Sequence, residues 1–151
     1  MAKRYWLIKS EPGEYSYDDL VKDQAAEWDG VRNFQARNNL REMQEGDGVL
    51  FYHSSTDPLV IVGTATVART AHPDKSAMDK KSDHYDPKST PANPIWYVVD
   101  IAPGVRFKNP VTIDAIRANP ELANMVLLKR GRLSVQPVTE QEWNAVVKMG
   151  K

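Results

Sequence analysis

Tyr5-Trp6-Leu7-Ile8-Lys9 sets aromatic and β-branched side chains at successive positions, so both alternating faces of the segment are apolar. A segment of this kind reads as a strand buried on both sides. Ser10-Glu11-Pro12-Gly13 ends it, because Pro12 has no N–H for a ladder and Gly13 favours a turn. A hydroxyl and a carboxylate, Ser10 and Glu11, thus stand at a strand end, a common place for ligand groups. Val49-Leu50-Phe51-Tyr52-His53-Ser54, after the turn signal Gly46-Asp47-Gly48, is a second strong strand. The run 59–69 is rich in Val, Ile and Thr, with Gly63 as a bulge candidate, and is expected to pair with it antiparallel. Ile95-Trp96-Tyr97-Val98-Val99-Asp100-Ile101 is the next strand, and Val105-Arg106-Phe107 is expected to continue the sheet after a Pro103-Gly104 turn. Leu133-Ser134-Val135-Gln136 is a last strand, stopped by Pro137.

The helix signals lie between and after these runs. Ser16 with Asp19, and Thr139 with Glu142, have the spacing of capping boxes, the first for a short helix through Leu20 and Val21. The second opens a C-terminal helix whose apolar stripe is Trp143, Val146 and Val147. Thr112 can cap a short helix through Ile113 and Ile116, and Pro120 can open another at its first turn. The stretch 71–94 holds four prolines among Lys, Asp and Ser, and is expected to be a long surface loop. Its His72, Asp74, Asp83, His84 and Asp86 are metal-ligand types, but no tight ligand spacing stands out, so no metal is expected.

Between the first two strands lies Trp28-Asp29-Gly30-Val31-Arg32-Asn33-Phe34-Gln35-Ala36-Arg37-Asn38-Asn39-Leu40-Arg41, which reads as a tight turn at Gly30 that becomes a helix. Phe34, Leu40 and Met43 are expected to face the core. Arg37 and Arg41, four apart, share a face. Trp28, Arg32 and Asn33 precede the regular helix, where side chains and free N–H groups meet ligands. An aromatic plate, a guanidinium fork and a carboxamide suit a nucleobase.

Composition narrows the partners. The 151 residues form one expected domain, 1–151, with 20 Lys+Arg balancing 20 Asp+Glu. That neutrality argues against a protein that coats nucleic acid by bulk charge, while leaving room for a local basic patch such as Lys129-Arg130-Gly131-Arg132. With no cysteine there is no disulfide framework, thiolate metal site or Cys nucleophile. No apolar run is long enough to span a membrane, and no signal core opens the chain, so a cytoplasmic monomer is expected. Walker, dinucleotide-binding, zinc-protease and nucleophile-elbow motifs are absent. No base is placed beside Ser10, Ser54 or Ser134. Glu11 or His53 would be the acid/base group of an enzyme acting on a nucleotide, which is the rival reading. A small-molecule or protein-interaction domain is a third.

Five stretches, taken together, resemble the EVE domain family. They are Tyr5 to Pro12, Trp28 to Leu40, Gly46 to Ser54, Tyr85-Asp86-Pro87-Lys88-Ser89, and Arg132-Leu133-Ser134-Val135-Gln136-Pro137-Val138-Thr139. They occur in family order over essentially the whole chain. One departure is Phe34, where Tyr is frequent in the family. The resemblance implies an α+β, PUA-like fold: a curved, partly closed β-barrel flanked by short helices. It also implies a non-enzymatic module, without cofactor, that reads a modified base in DNA or RNA, a cytosine derivative being favoured. On that reading Trp28 stacks on the base. Ser10, Glu11, Asn33 and Gln136 read its polar edges. Arg32, Arg37, Lys129, Arg130 and Arg132 contact phosphates, and Lys9, Gly30, Val31, His53 and Ser134 shape the pocket.

Overall fold

The computed structural model describes residues 3–151. At its centre β1 (Tyr5–Ser10) pairs in parallel with β3 (Gly48–His53), and antiparallel with β6 (Val135–Val138). Outward from β3 come β4 (Val60–Pro73), β5 (Tyr97–Thr112) and the two-residue β2 (Ala26–Glu27), all antiparallel. The sheet order is therefore β2-β5-β4-β3-β1-β6.

Both faces of this sheet are covered, which is why β1 is apolar at successive positions. Trp6, Ile8, Phe51, Val99 and Val135 pack on one face against Leu20 of α1 (Tyr17–Asp23) and Ala36 and Leu40 of α2 (Phe34–Glu42). Leu7, Leu50, Tyr52 and Phe107 pack on the other. There they meet Ile116 of α3 (Ile113–Ala118), Leu127 of α4 (Val126–Lys129), and Ala145 and Val146 of α5 (Glu140–Gly150). The Trp6 indole N–H is satisfied inside the core by Asp47 Oδ2 at 3.0 Å. Both capping boxes form, with Ser16 accepting from Asp19 N–H and Thr139 from Glu142 N–H.

The structure corrects several expectations. The α+β class holds, but the sheet is not closed. Its edges, β2 and β6, are two and four residues long and stand at opposite ends of a linear order. The register along β4 and β5 is irregular, with breaks on either side of Gly63. Pro103-Gly104 is no turn: β5 runs through it. Gly63 faces Arg106 while Ala65 faces Pro103, so β5 holds one extra residue there, and Val105 N–H bonds the Thr64 hydroxyl at 2.9 Å. Pro137 does not stop β6, because that strand has a neighbour on one side only and tolerates a missing donor. The α4 turn has no cap side chain to announce it.

Phe34 does not face the core. It is 59% exposed and stacks on Trp96 with ring centroids 5.0 Å apart. At 100° per residue it stands about half a turn from Met43, so the shared-face reading fails on geometry. The 71–94 stretch is also more regular than a loop. β4 extends to Pro73, a 3-10 turn spans Lys75–Met78, and Asp86 accepts the Trp96 indole N–H at 2.7 Å.

Candidate functional site

Beyond the C-terminal end of β1 three segments meet: the turn 10–15, the passage 26–32 from β2 toward α2, and the turn 131–134 before β6. With the start of the β3–β4 connection they enclose a cleft of about 1300 Å³. That exceeds the roughly 300–1,000 Å³ common for small-molecule sites.

Local hydrogen bonds set each wall. The turn 10–15 is closed by Glu14 and Tyr15 N–H groups, both donating to Glu11 O at 2.9 Å, and by the Ser10 hydroxyl donating to Tyr15 O. Ser55, in a left-handed backbone conformation (φ +53°), donates its hydroxyl to the Glu11 carboxylate at 3.1 Å. Lys9 Nζ donates to Gly131 O and so ties β1 to the opposite wall, while burial lowers its pKa.

Trp28 is fixed at both ends. Its N–H donates to Val99 O at 2.8 Å, and its ring meets Phe51 and Tyr15 edge-on, at 5.5 and 6.0 Å between centroids. Gly30 has φ +77°, and a Cβ there would lie 2.7 Å from the His84 imidazole. The positive φ favours glycine, whereas the close contact would ask only that the exposed His84 ring move aside. The Gly30 N–H donates to Asp74 Oδ2 at 3.0 Å, and Arg32 pairs with the same oxygen at 3.0 Å. Asp74 is 1% exposed. Burial alone would raise its pKa, but hydrogen bonds from Ser76, Gly30 and Arg32 outweigh burial and hold it below the ordinary carboxylate value.

Of the residues expected at the site, Lys9, Ser10, Glu11, Trp28, Gly30, Val31, Arg32, Arg132 and Ser134 line the cleft. Others are engaged in the fold. Asn33 caps α2 by accepting from Ala36 N–H at 2.9 Å. Gln136 has no exposed surface and donates to Leu133 O at 2.8 Å, so a base edge cannot reach it. Arg37 lies over the Phe34 ring and donates to Ile95 O at 3.1 Å. Arg32, although it lines the cleft, spends its guanidinium on Asp74, Val31 O and His84 O rather than leaving it for a phosphate. Lys129 and Arg130 are exposed around the end of α4.

His53 Nε2 accepts the Tyr17 N–H at 3.1 Å and therefore carries no proton there. Burial lowers its pKa, with Arg106 acting in the same direction and Asp18 opposing. The folded pKa lies below the unfolded one, so the unfolded chain binds the extra proton. The stabilisation is complete above about pH 6.5 and is lost as pH falls toward the folded value. Urea midpoints at pH 7.5 and 5 should therefore drop more in the wild type than in His53→Gln, which accepts without titrating.

Sequence reasoning missed Tyr15, Asp29 and His84 on the cleft wall. Asp29 adjoins Trp28, a signal that was there to use. Its pKa is raised, by burial first and then by the neighbouring Asp74 charge. His84 arrives from the 71–94 stretch, and no local pattern marks its approach to Gly30. Four carboxylates (Glu11, Glu14, Glu27, Asp29) line the cleft against Lys9, Arg32 and Arg132. The wall is thus rich in acceptors and suits a ligand that presents an amino group beside an aromatic face.

A family model described as EVE domain matches residues 4–149. Thymocyte nuclear protein 1 of Homo sapiens is 36% identical over 164 aligned residues, covering 96% of this chain and 73% of that protein. The structure of a hypothetical protein from Leishmania major matches with a TM-score of 0.95 and 44% identity, over 99% of this chain and 95% of that one. The human THYN1 protein, solved in complex with DNA containing 5-methylcytosine, matches with a TM-score of 0.93 and 36% identity, over 99% and 98% of the two chains.

Proposed function

Because the chain belongs to the EVE domain family, we propose that it is a non-catalytic nucleic-acid-binding module that takes a modified base, a cytosine derivative, into the cleft beside Trp28. The observation that carries this reading is the similarity over nearly the whole chain to the human protein solved with 5-methylcytosine DNA. The chemistry of the cleft supports it. Carboxylates accept from the exocyclic amino group of cytosine, and Glu11 and Asp29 are available on the wall. A 5-methyl group adds apolar area that Trp28, Val31 and Leu59 can cover. Exposed Arg132, with Lys129 and Arg130 nearby in sequence, is suited to the backbone phosphates. Extruding a base costs a few kcal/mol in a duplex, so a pre-built plate such as Trp28 has a purpose. Against an acid/base role for His53 stands its hydrogen bond from Tyr17 N–H.

The test is binding at one stated salt concentration to oligonucleotides matched except for cytosine, 5-methylcytosine, 5-hydroxymethylcytosine or N6-methyladenine, as DNA and RNA, single- and double-stranded. A preference of about tenfold or more for one cytosine derivative, about 1.4 kcal/mol, is expected. Equal binding that falls steeply with salt would reduce the reading to phosphate contacts. No binding at all would overturn it.

A further inference from the structure

At the far edge of the sheet, β2, β4 and β5 bring Glu27, which also lines the cleft, together with two side chains that lie outside it, His72 and Asp100. Glu27 of β2 lies opposite Asp100 of β5. A register break in β4 between Arg69 and His72 sets the His72 ring beside them. His72 Nε2 stands 3.4 Å from Asp100 Oδ1 and 3.7 Å from Glu27 Oε2. The three ligand-type atoms all lie within 4.8 Å of one another.

The tautomer follows from the second ring nitrogen. Nδ1 is 2.9 Å from Thr70 O, and a carbonyl can only accept, so Nδ1 carries the proton. In the neutral ring Nε2 then presents a lone pair to two carboxylate oxygens. Both Nε2 and Asp100 Oδ1 are buried atoms without a hydrogen-bond partner among the described residues. Three acceptors facing one another in a partly dry site repel unless a cation sits between them. Distance separates the two candidates. A proton on Nε2 would draw a carboxylate to about 2.7–2.9 Å. Metal–ligand bonds of about 2.0–2.2 Å give a tetrahedron with edges of roughly 3.3–3.6 Å; the 3.4 Å separation falls within that range and the 3.7 Å separation to the exposed Glu27 just beyond it.

We propose that Glu27, His72 and Asp100 bind a first-row divalent cation, zinc(II) foremost, through one imidazole nitrogen and two carboxylates, with water completing the shell. The donor types suit zinc, and the Nδ1–H bond to a backbone carbonyl is the outer contact that metal-bound histidines commonly make. Glu27 is the outermost ligand, its side chain 57% exposed. The ion would pin the two-residue β2 to its neighbours and so steady Trp28, the next residue in the chain.

Calorimetric titration of the chelator-treated full chain with zinc chloride tests this, with magnesium chloride alongside. One zinc per chain is expected, at least about tenfold weaker in His72→Ala and in Asp100→Ala, and with no comparable magnesium binding. Should either variant unfold, imidazole NMR of the wild type decides, because the chain has three histidines. Zinc should shift His72 Nε2 and leave His53 and His84 in place. Absence of stoichiometric zinc binding overturns the proposal, as does equal affinity in both folded variants. So does a His72 Nε2 that stays protonated with zinc present, which would make the cluster an ion pair.

Discussion

Replacing Trp28 by alanine is expected to weaken binding of an oligonucleotide carrying the preferred cytosine derivative by about 1–3 kcal/mol, the range of a base–aromatic stack, or roughly 5- to 150-fold. The ring is held before any ligand arrives, by its backbone bond to Val99 O and by the edges of Phe51 and Tyr15. Little ordering is then left for the binding step, so loss of the ring should register almost fully in affinity. Fluorescence anisotropy with a labelled oligonucleotide reads the change, with near-ultraviolet circular dichroism to establish that the variant is folded. Trp28→Phe should recover part of the affinity. If folded Trp28→Ala binds as tightly as the wild type, the base stacks elsewhere. The exposed Phe34 face, backed by Trp96 at an interplanar angle of 25° and flanked by Arg37, is then the surface to truncate.

The second large effect concerns stability. Asp74→Ala is expected to lower the unfolding free energy by about 3 kcal/mol. Breaking a buried ion pair costs about 3–5 kcal/mol. The lower end applies because the Arg32 side chain is 25% exposed and water can take over part of its solvation. The loss also strands the Gly30 and Ser76 N–H groups. Because hydrogen bonding depresses the Asp74 pKa below its unfolded value, its stabilisation is full above about pH 4 and disappears as pH falls through the lower, folded value. Urea unfolding at neutral pH measures the first effect. The same curves at pH 3 should show a smaller gap between wild type and variant.

Much of the architecture was readable because it rests on local chemistry. Apolar residues at successive positions of β1 required cover on both faces, and helices supply it there. The Ser16–Asp19 and Thr139–Glu142 spacings fixed two helix starts. What escaped was decided at a distance. Phe34 looked like a core residue by type, yet its angle on α2 sends it to Trp96, sixty-two positions on. Gln136 carries a group able to read a base, yet its neighbours in the 130–133 turn claim its amide. Arg32 was expected to contact phosphate, yet its guanidinium is held by Asp74, which comes from a stretch that reads as a loop. His72 and Asp100 lie in different strands, and only the β4 register break joins them.

The parallel pairing of β1 with β3 has a consequence for how such a domain can diverge. Parallel neighbours cannot be joined by a hairpin, so the chain between them must travel across the sheet. Here that obligatory passage carries α1, β2, Trp28, Gly30 and α2. The connector and the principal wall of the cleft are one piece of chain. New ligand preferences are therefore open to substitution along the passage, while shortening it would break the centre of the sheet.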